Sequence, residues 1–94
     1  MLDIWRTSHF EWAEGTVWAW VDGRRYPTFW RTLDEAEGSL GVVRLVRIQR
    51  RILLNPIAIV SVSERFGGRG SVTVAGGVNL AVSRSGMRLV HFLR

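Results

Sequence analysis

The chain has 94 residues, enough for one domain with a modest core, and its 47% hydrophobic and 22% charged composition is that of a folded protein rather than a disordered one. The longest uncharged runs are about a dozen residues, short of the roughly 20 a membrane-spanning helix needs. Met1-Leu2-Asp3-Ile4 lacks the basic-then-apolar form of a secretory leader, and the absence of Cys removes disulfides and thiolate metal sites, so a cytoplasmic location is expected. The net charge of +5 divides sharply: residues 1–41 carry a net −3, whereas residues 42–94 hold nine arginines against Glu64 alone, a net of +8. That asymmetry points to a polyanionic partner for the second half, nucleic acid before membrane.

Residues 2–14 alternate loosely and read as one or two short strands, followed by a turn at Glu14-Gly15-Thr16. Thr16–Val21 (T-V-W-A-W-V) is β-branched and aromatic throughout, which predicts a strand. Asp22-Gly23 is a strong hairpin signal, because the pair tolerates the positive φ of a tight turn. Arg25–Trp30 is the expected return strand, with Pro27 marking an edge or an irregular end. Thr32-Leu33-Asp34-Glu35 has the form of a capping box, and the acids of this first turn suit the positive end of a helix dipole. Gly38 and Gly41 limit that helix to about two turns.

The stretch Arg44–Asn55 (R-L-V-R-I-Q-R-R-I-L-L-N) carries two competing periods. Arg44, Arg47 and Arg51 fall at helical spacing, with Leu45, Ile48 and Ile52 beside them. The β-branched run from Val42 to Ile48 and the Asn55-Pro56 break favour instead a strand, a polar turn at Gln49-Arg50-Arg51, and a short strand Ile52–Leu54. Periodicity alone leaves both open. Beyond it, Ile57–Ser63 alternates as a strand, and Gly67-Gly68-Arg69-Gly70 reads as a hairpin tip rather than a phosphate loop, since no G-K-[ST] follows. Ser71–Ala75 and Val78–Val82 flank Gly76-Gly77 as another hairpin. Ser85 is placed as the cap of a final helix with Met87, Val90 and Leu93–Arg94 along one side.

Nothing here assembles an enzyme. His9 and His91 are far apart and outside metal-ligand spacing, no serine sits in a nucleophile elbow, and the acids are accounted for by helix capping. No catalytic residue, metal ligand or cofactor is expected. Trp18 and Trp20 share one strand face, opposite Val17 and Val21, and are read as core before stacking platform. All thirteen basic residues are Arg, which a codon bias toward G and C explains as well as selection does. Either way the chain gains planar forks suited to guanine and phosphate.

Taken in order, Glu14-Gly15, Asp22-Gly23, Thr32-Leu33-Asp34-Glu35-Ala36, R-I-Q-R-R-I-L-L-N over 47–55, and Val82-Ser83-Arg84 before a terminal helix resemble the LytTR DNA-binding domain of bacterial transcriptional regulators. The match runs from about residue 11 to the end, with spacing kept. It implies a single domain over residues 1–94: a mostly β, elongated antiparallel β-sheet sandwich of short strands with one or two short helices. It also implies that loops, rather than a recognition helix, enter successive major grooves of double-stranded DNA, with two copies on paired half-sites. The family's DNA contacts, carried over, fall on Gly15 and Thr16, on Gln49, Arg50 and Arg51, and on Arg84 with Ser85. Arg69 and Arg88 stand beside these as further candidates.

Two departures lie at the centre of the pattern: Gln49 replaces the usual His and Arg51 the usual Ser, which suggests a different base preference. The family's leading strand is expected to be absent or reduced to Leu2–Arg6, and no receiver domain is expected within these residues. Control is therefore expected to come from a longer parent or from a separate regulatory protein. Two other functions compete: a single-strand or RNA binder that stacks bases on Trp18 and Trp20, and a protein-interaction module that uses the acidic first half.

Overall fold

Glu14 and Gly15 (φ 56° and 76°) and Asp22 and Gly23 (φ 51° and 81°) form two tight turns whose positive φ angles match the twist of the strands they join. In the computed structural model, which describes residues 3–41 and 43–93, these turns connect β1 (Thr7–Ala13), β2 (Thr16–Val21) and β3 (Arg24–Pro27). A short 3-10 turn, Ile4–Arg6, precedes β1, so the N-terminal segment gives one strand; Leu2 lies outside the described residues. The return strand ends at Pro27, short of the expected Trp30, because Pro27 has no N–H to continue the ladder. Beyond it the chain stays against β2: the Thr28 amide and hydroxyl both donate to the Val17 carbonyl, at 3.0 and 2.7 Å, and the Trp30 carbonyl accepts the Val17 amide at 3.0 Å.

The capping box forms with one shift. Thr32 Oγ1 accepts from the Glu35 amide at 3.1 Å, while Glu35 reaches back one residue further, to the Arg31 amide at 3.3 Å. The resulting helix α1 spans Leu33–Ser39. The contested stretch resolves as β4 (Val46–Gln49), a turn at Arg50 and Arg51, and β5 (Ile52–Leu54). The strand starts at Val46, later than the β-branched run suggests, and Val42 lies outside the described residues. All pairings are antiparallel, in the order β3-β2-β1-β5-β4.

Asn55 ends β5 and ties it to the N-terminal strand. Its side-chain amide donates to the Ile4 and Thr7 carbonyls, its own N–H donates to Ser8, and it caps a 3-10 turn over Pro56–Ala58. This turn replaces the first residues of the expected strand Ile57–Ser63. A second antiparallel sheet follows: β6 (Ile59–Glu64), β7 (Gly70–Val74) and β8 (Asn79–Val82), closed by helix α2 (Arg84–Leu93). Among the described residues, eight strands and two helices form the expected mostly β sandwich, elongated to 38 × 26 × 23 Å.

β5 is apolar throughout because it is buried on both faces. Ile52 and Leu54 join Val46, Ile48, Val72, Val82, Met87 and Val90 in the core between the sheets and α2. Leu53 points the other way, into the core of Phe10, Val17, Ala19, Leu33 and Ala36 beneath α1. That second core corrects the expectation for Trp18 and Trp20. The inward face of β2 is Val17 and Ala19, both 0% exposed, whose small side chains admit α1. The two tryptophans lie half-buried on the opposite face, where Arg25 covers Trp18 at 4.1 Å and His9 stacks on Trp20 at 5.3 Å.

Candidate nucleic-acid interface

The β4–β5 turn and the start of α2 are held together by one backbone seam. Ser83 donates to the Ile48 carbonyl twice, through its amide at 2.9 Å and its hydroxyl at 3.1 Å. The same hydroxyl oxygen accepts the Gly86 amide at 3.0 Å, so Ser83 is the residue that caps α2. This corrects the placement of the cap at Ser85, which lies inside the helix, its hydroxyl 3.3 Å from that of Ser83. Gly86 sits directly on Ile48: a Cβ there would stand 2.7 Å from the Ile48 carbonyl carbon, closer than real packing allows. One residue on, Gln49 Nε2 donates to the Ala81 carbonyl at 2.9 Å, leaving its second amide hydrogen and Oε1 for other partners.

This seam brings five of the expected site residues to one shallow groove of about 680 Å³: Gln49, Arg69, Arg84, Ser85 and Arg88, over the backbone of Ala81–Ser83. Arg50 and Arg51 are exposed on the turn that begins at Gln49. Gly15 and Thr16 lie apart from the groove, on the β1–β2 turn. They share the same sheet end as Arg51, whose carbonyl accepts the Trp12 amide at 2.8 Å and whose guanidinium lies 5.7 Å from the Trp12 ring. Thr16 is half-buried, and its hydroxyl is directed at the Trp30 and Thr28 carbonyls, at 3.2 and 3.4 Å. Gly15 is exposed.

Among the described residues, the ion pairs lie outside this groove. Arg6 pairs with Asp22 at 2.6 Å, Arg25 with Glu14 at 2.9 Å and Glu11 at 3.6 Å, and Arg47 with Asp34 at 3.1 Å. The bond to Asp22 raises the Arg6 pKa further above its ordinary value. Glu64, the lone acid of the second half, pairs with His91. Among the described residues, Arg50, Arg51, Arg69, Arg84 and Arg88 have no carboxylate partner. A larger concavity, about 880 Å³, opens beside Tyr26, Phe29 and Trp30, but its lining sets Asp3 and Asp22 against Arg6 and Arg24, so its formal charges balance.

Residues missed in the sequence complete the surface. Arg84 Nε donates to the Gly67 carbonyl at 3.0 Å, and the Arg84 stem packs on Gly68, where a Cβ would come within 3.2 Å of Cγ. The glycine tip is therefore a seat for an arginine seventeen residues away. Ser83 carried a visible signal, a serine three residues before the Gly86 it caps. The seat did not, because nothing local links residues 67 and 84.

A family model of the LytTr DNA-binding domain matches residues 4–93. The chain belongs to the LytTR family. It is a DNA-binding domain, and the motif order read from the sequence corresponds to that family's. Among solved structures, a LytTr DNA-binding domain from Bacillus cereus is similar, with a TM-score of 0.82 at 15% identity over 98% of this chain and 84% of that one. At that identity the likeness bears on the fold. No curated protein matches the chain. Among the described residues of this LytTR domain, no helix is long and apolar enough to cross a membrane.

Proposed function

We propose that this LytTR domain reads a specific sequence in double-stranded DNA as part of a bacterial transcriptional regulator, with its loops entering successive major grooves. The observation that carries the reading is the seam: Ser83 and Gly86 lock the Gln49–Arg51 turn to the start of α2, beside arginines that have no internal counter-ion. Such a cluster lowers its free energy most on a polyanion, and releases condensed counter-ions when it binds. In this reading Arg50 and Arg84 present forks to base edges, with Gln49 beside them, while Arg51, Arg69 and Arg88 grip phosphates. Gly15 and Thr16 approach the backbone from the adjacent turn. The 38 Å long axis is close to one turn of B-DNA, about 34 Å, which suits contact with two successive grooves from one side. Two copies then occupy paired half-sites, and a regulatory protein or a covalently attached domain controls them.

The competing readings fit less well. A base-stacking platform needs bare rings, yet Arg25 and His9 cover faces of Trp18 and Trp20, and Glu11 and Glu14 stand beside them. The acids offered to a protein partner are largely engaged internally: Asp22, Glu11, Glu14 and Asp34 by arginines and Glu35 by the α1 cap. Selection of bound duplexes from a random pool at moderate salt tests the proposal. A short enriched motif is expected, and a bound pool with no motif overturns sequence-specific reading.

A further inference from the structure

We propose that the tip of the β6–β7 hairpin, residues 65–70, is a further DNA-contacting element that carries Phe66 into the minor groove beside the major groove entered by Arg84. This rests on the duplex-reading function proposed above and extends it to a residue that no motif singles out. Phe66 is fully exposed, at 105% of its reference area, and its neighbours Arg65, Gly67, Gly68 and Arg69 are exposed with it. Neither Arg65 nor Arg69 has a carboxylate partner among the described residues.

The tip is built rather than loose. The Arg65 amide donates to the Arg69 carbonyl at 2.7 Å and closes the loop. At its base, Gly70 packs so tightly that a Cβ would stand 2.7 Å from Met87 Sδ. Arg84 then holds the crest through its bond to Gly67 and its contact with Gly68. Arg84 is thereby tied to the tip that carries Phe66, Arg65 and Arg69, so the two dock together.

An aromatic ring left wholly in water forgoes the burial that drives most of its interactions. Duplex DNA offers what this tip lacks. Phosphates on the two strands that border the minor groove suit Arg65 and Arg69, and the deoxyribose walls and base-step edges of that groove suit an inserted apolar ring. An acidic protein surface would satisfy the arginines equally, and the experiment separates it from DNA.

The test uses the duplex that the intact domain enriches from a random pool. Phe66→Ala is expected to bind it about tenfold more weakly. The same variant is expected to lose hydroxyl-radical protection of the deoxyriboses flanking the Arg84 contact while keeping the same enriched motif. Arg69→Ala is expected to lower the slope of log K against log salt by about one. Because Phe66 touches no core residue, the variant folds as the parent does. Unchanged affinity and an unchanged footprint for Phe66→Ala overturn this proposal and leave duplex reading intact, as they would if the tip met a protein instead. Failure of the intact domain to enrich any duplex overturns both.

Discussion

Gly86 of helix α2 lies against the backbone of Ile48 in β4, with no space for a side chain between them. Through that contact the last turn of the first sheet and the first turn of the final helix become one surface. Two effects oppose each other at Gly86→Ala. Alanine favours a helix interior over glycine by about 1 kcal/mol. The added methyl group must, however, displace sheet backbone rather than a flexible side chain, and overpacking of that kind costs about 1–3 kcal/mol. The clash is expected to win. Urea unfolding should show a lower midpoint for the variant, and duplex binding should weaken further because the Gln49–Arg51 turn and the helix start separate.

Ser83 and Ser85 offer a comparison within one turn of helix. Ser83 donates to Ile48 and accepts from Gly86, so Ser83→Ala should destabilise the domain by about 1–2 kcal/mol. Ser85 is exposed and bonds only to Ser83, so Ser85→Ala should stay within about 0.5 kcal/mol. Thermal or urea unfolding of the two variants checks the order. Equal losses would return the cap to Ser85.

His9 gives the domain a pH dependence of its own. The ring is 1% exposed, shares a 2.7 Å hydrogen bond with Ser8 Oγ, and is pushed down from 6.5 to about 4 by burial. Above pH 6.5 the ring is neutral in both folded and unfolded chains, and stability is unaffected. Between pH 6.5 and 4 the unfolded chain takes up a proton that the folded one excludes, so stability falls as pH falls, by about 3 kcal/mol over the window. Denaturant unfolding at half-unit steps of pH should show this slope in the parent. His9→Gln should flatten it, leaving only the carboxylate contribution shared by both.

Much of this architecture is legible in local chemistry. Asp22-Gly23 announces its turn because few residues accept positive φ, and Thr32 with Glu35 announces α1 because a capping box acts within four residues. The Gln49–Arg51 turn was favoured by the β-branched run but left open by the helical spacing of Arg44, Arg47 and Arg51, and only the family's order of motifs decided it. The inward face of β2 was not. Alternation divides the strand into two faces, but only the docking of α1 decides that Val17 and Ala19 go inward and the tryptophans stay out. The groove itself depends on pairs distant in sequence, Ser83 with Ile48, Gln49 with Ala81 and Arg84 with Gly67, so no local pattern could have assembled it.

The most direct test compares three alanine variants on the duplex that the parent domain selects: Arg50→Ala, Arg84→Ala and Arg6→Ala, each titrated at several salt concentrations. Arg50 and Arg84 lie on the two elements joined by the seam, whereas Arg6 lies outside the groove and is held by Asp22. A base-reading arginine is worth about 1–3 kcal/mol of discrimination, so the first two variants should lose about 5- to 150-fold in specific binding and tolerate a changed base at one position each. Arg6→Ala should remain within about twofold of the parent, since it removes no proposed contact. Equal losses at all three positions, with no position relaxed, would contradict base reading by the joined surface and reduce the arginines to a general attraction for DNA.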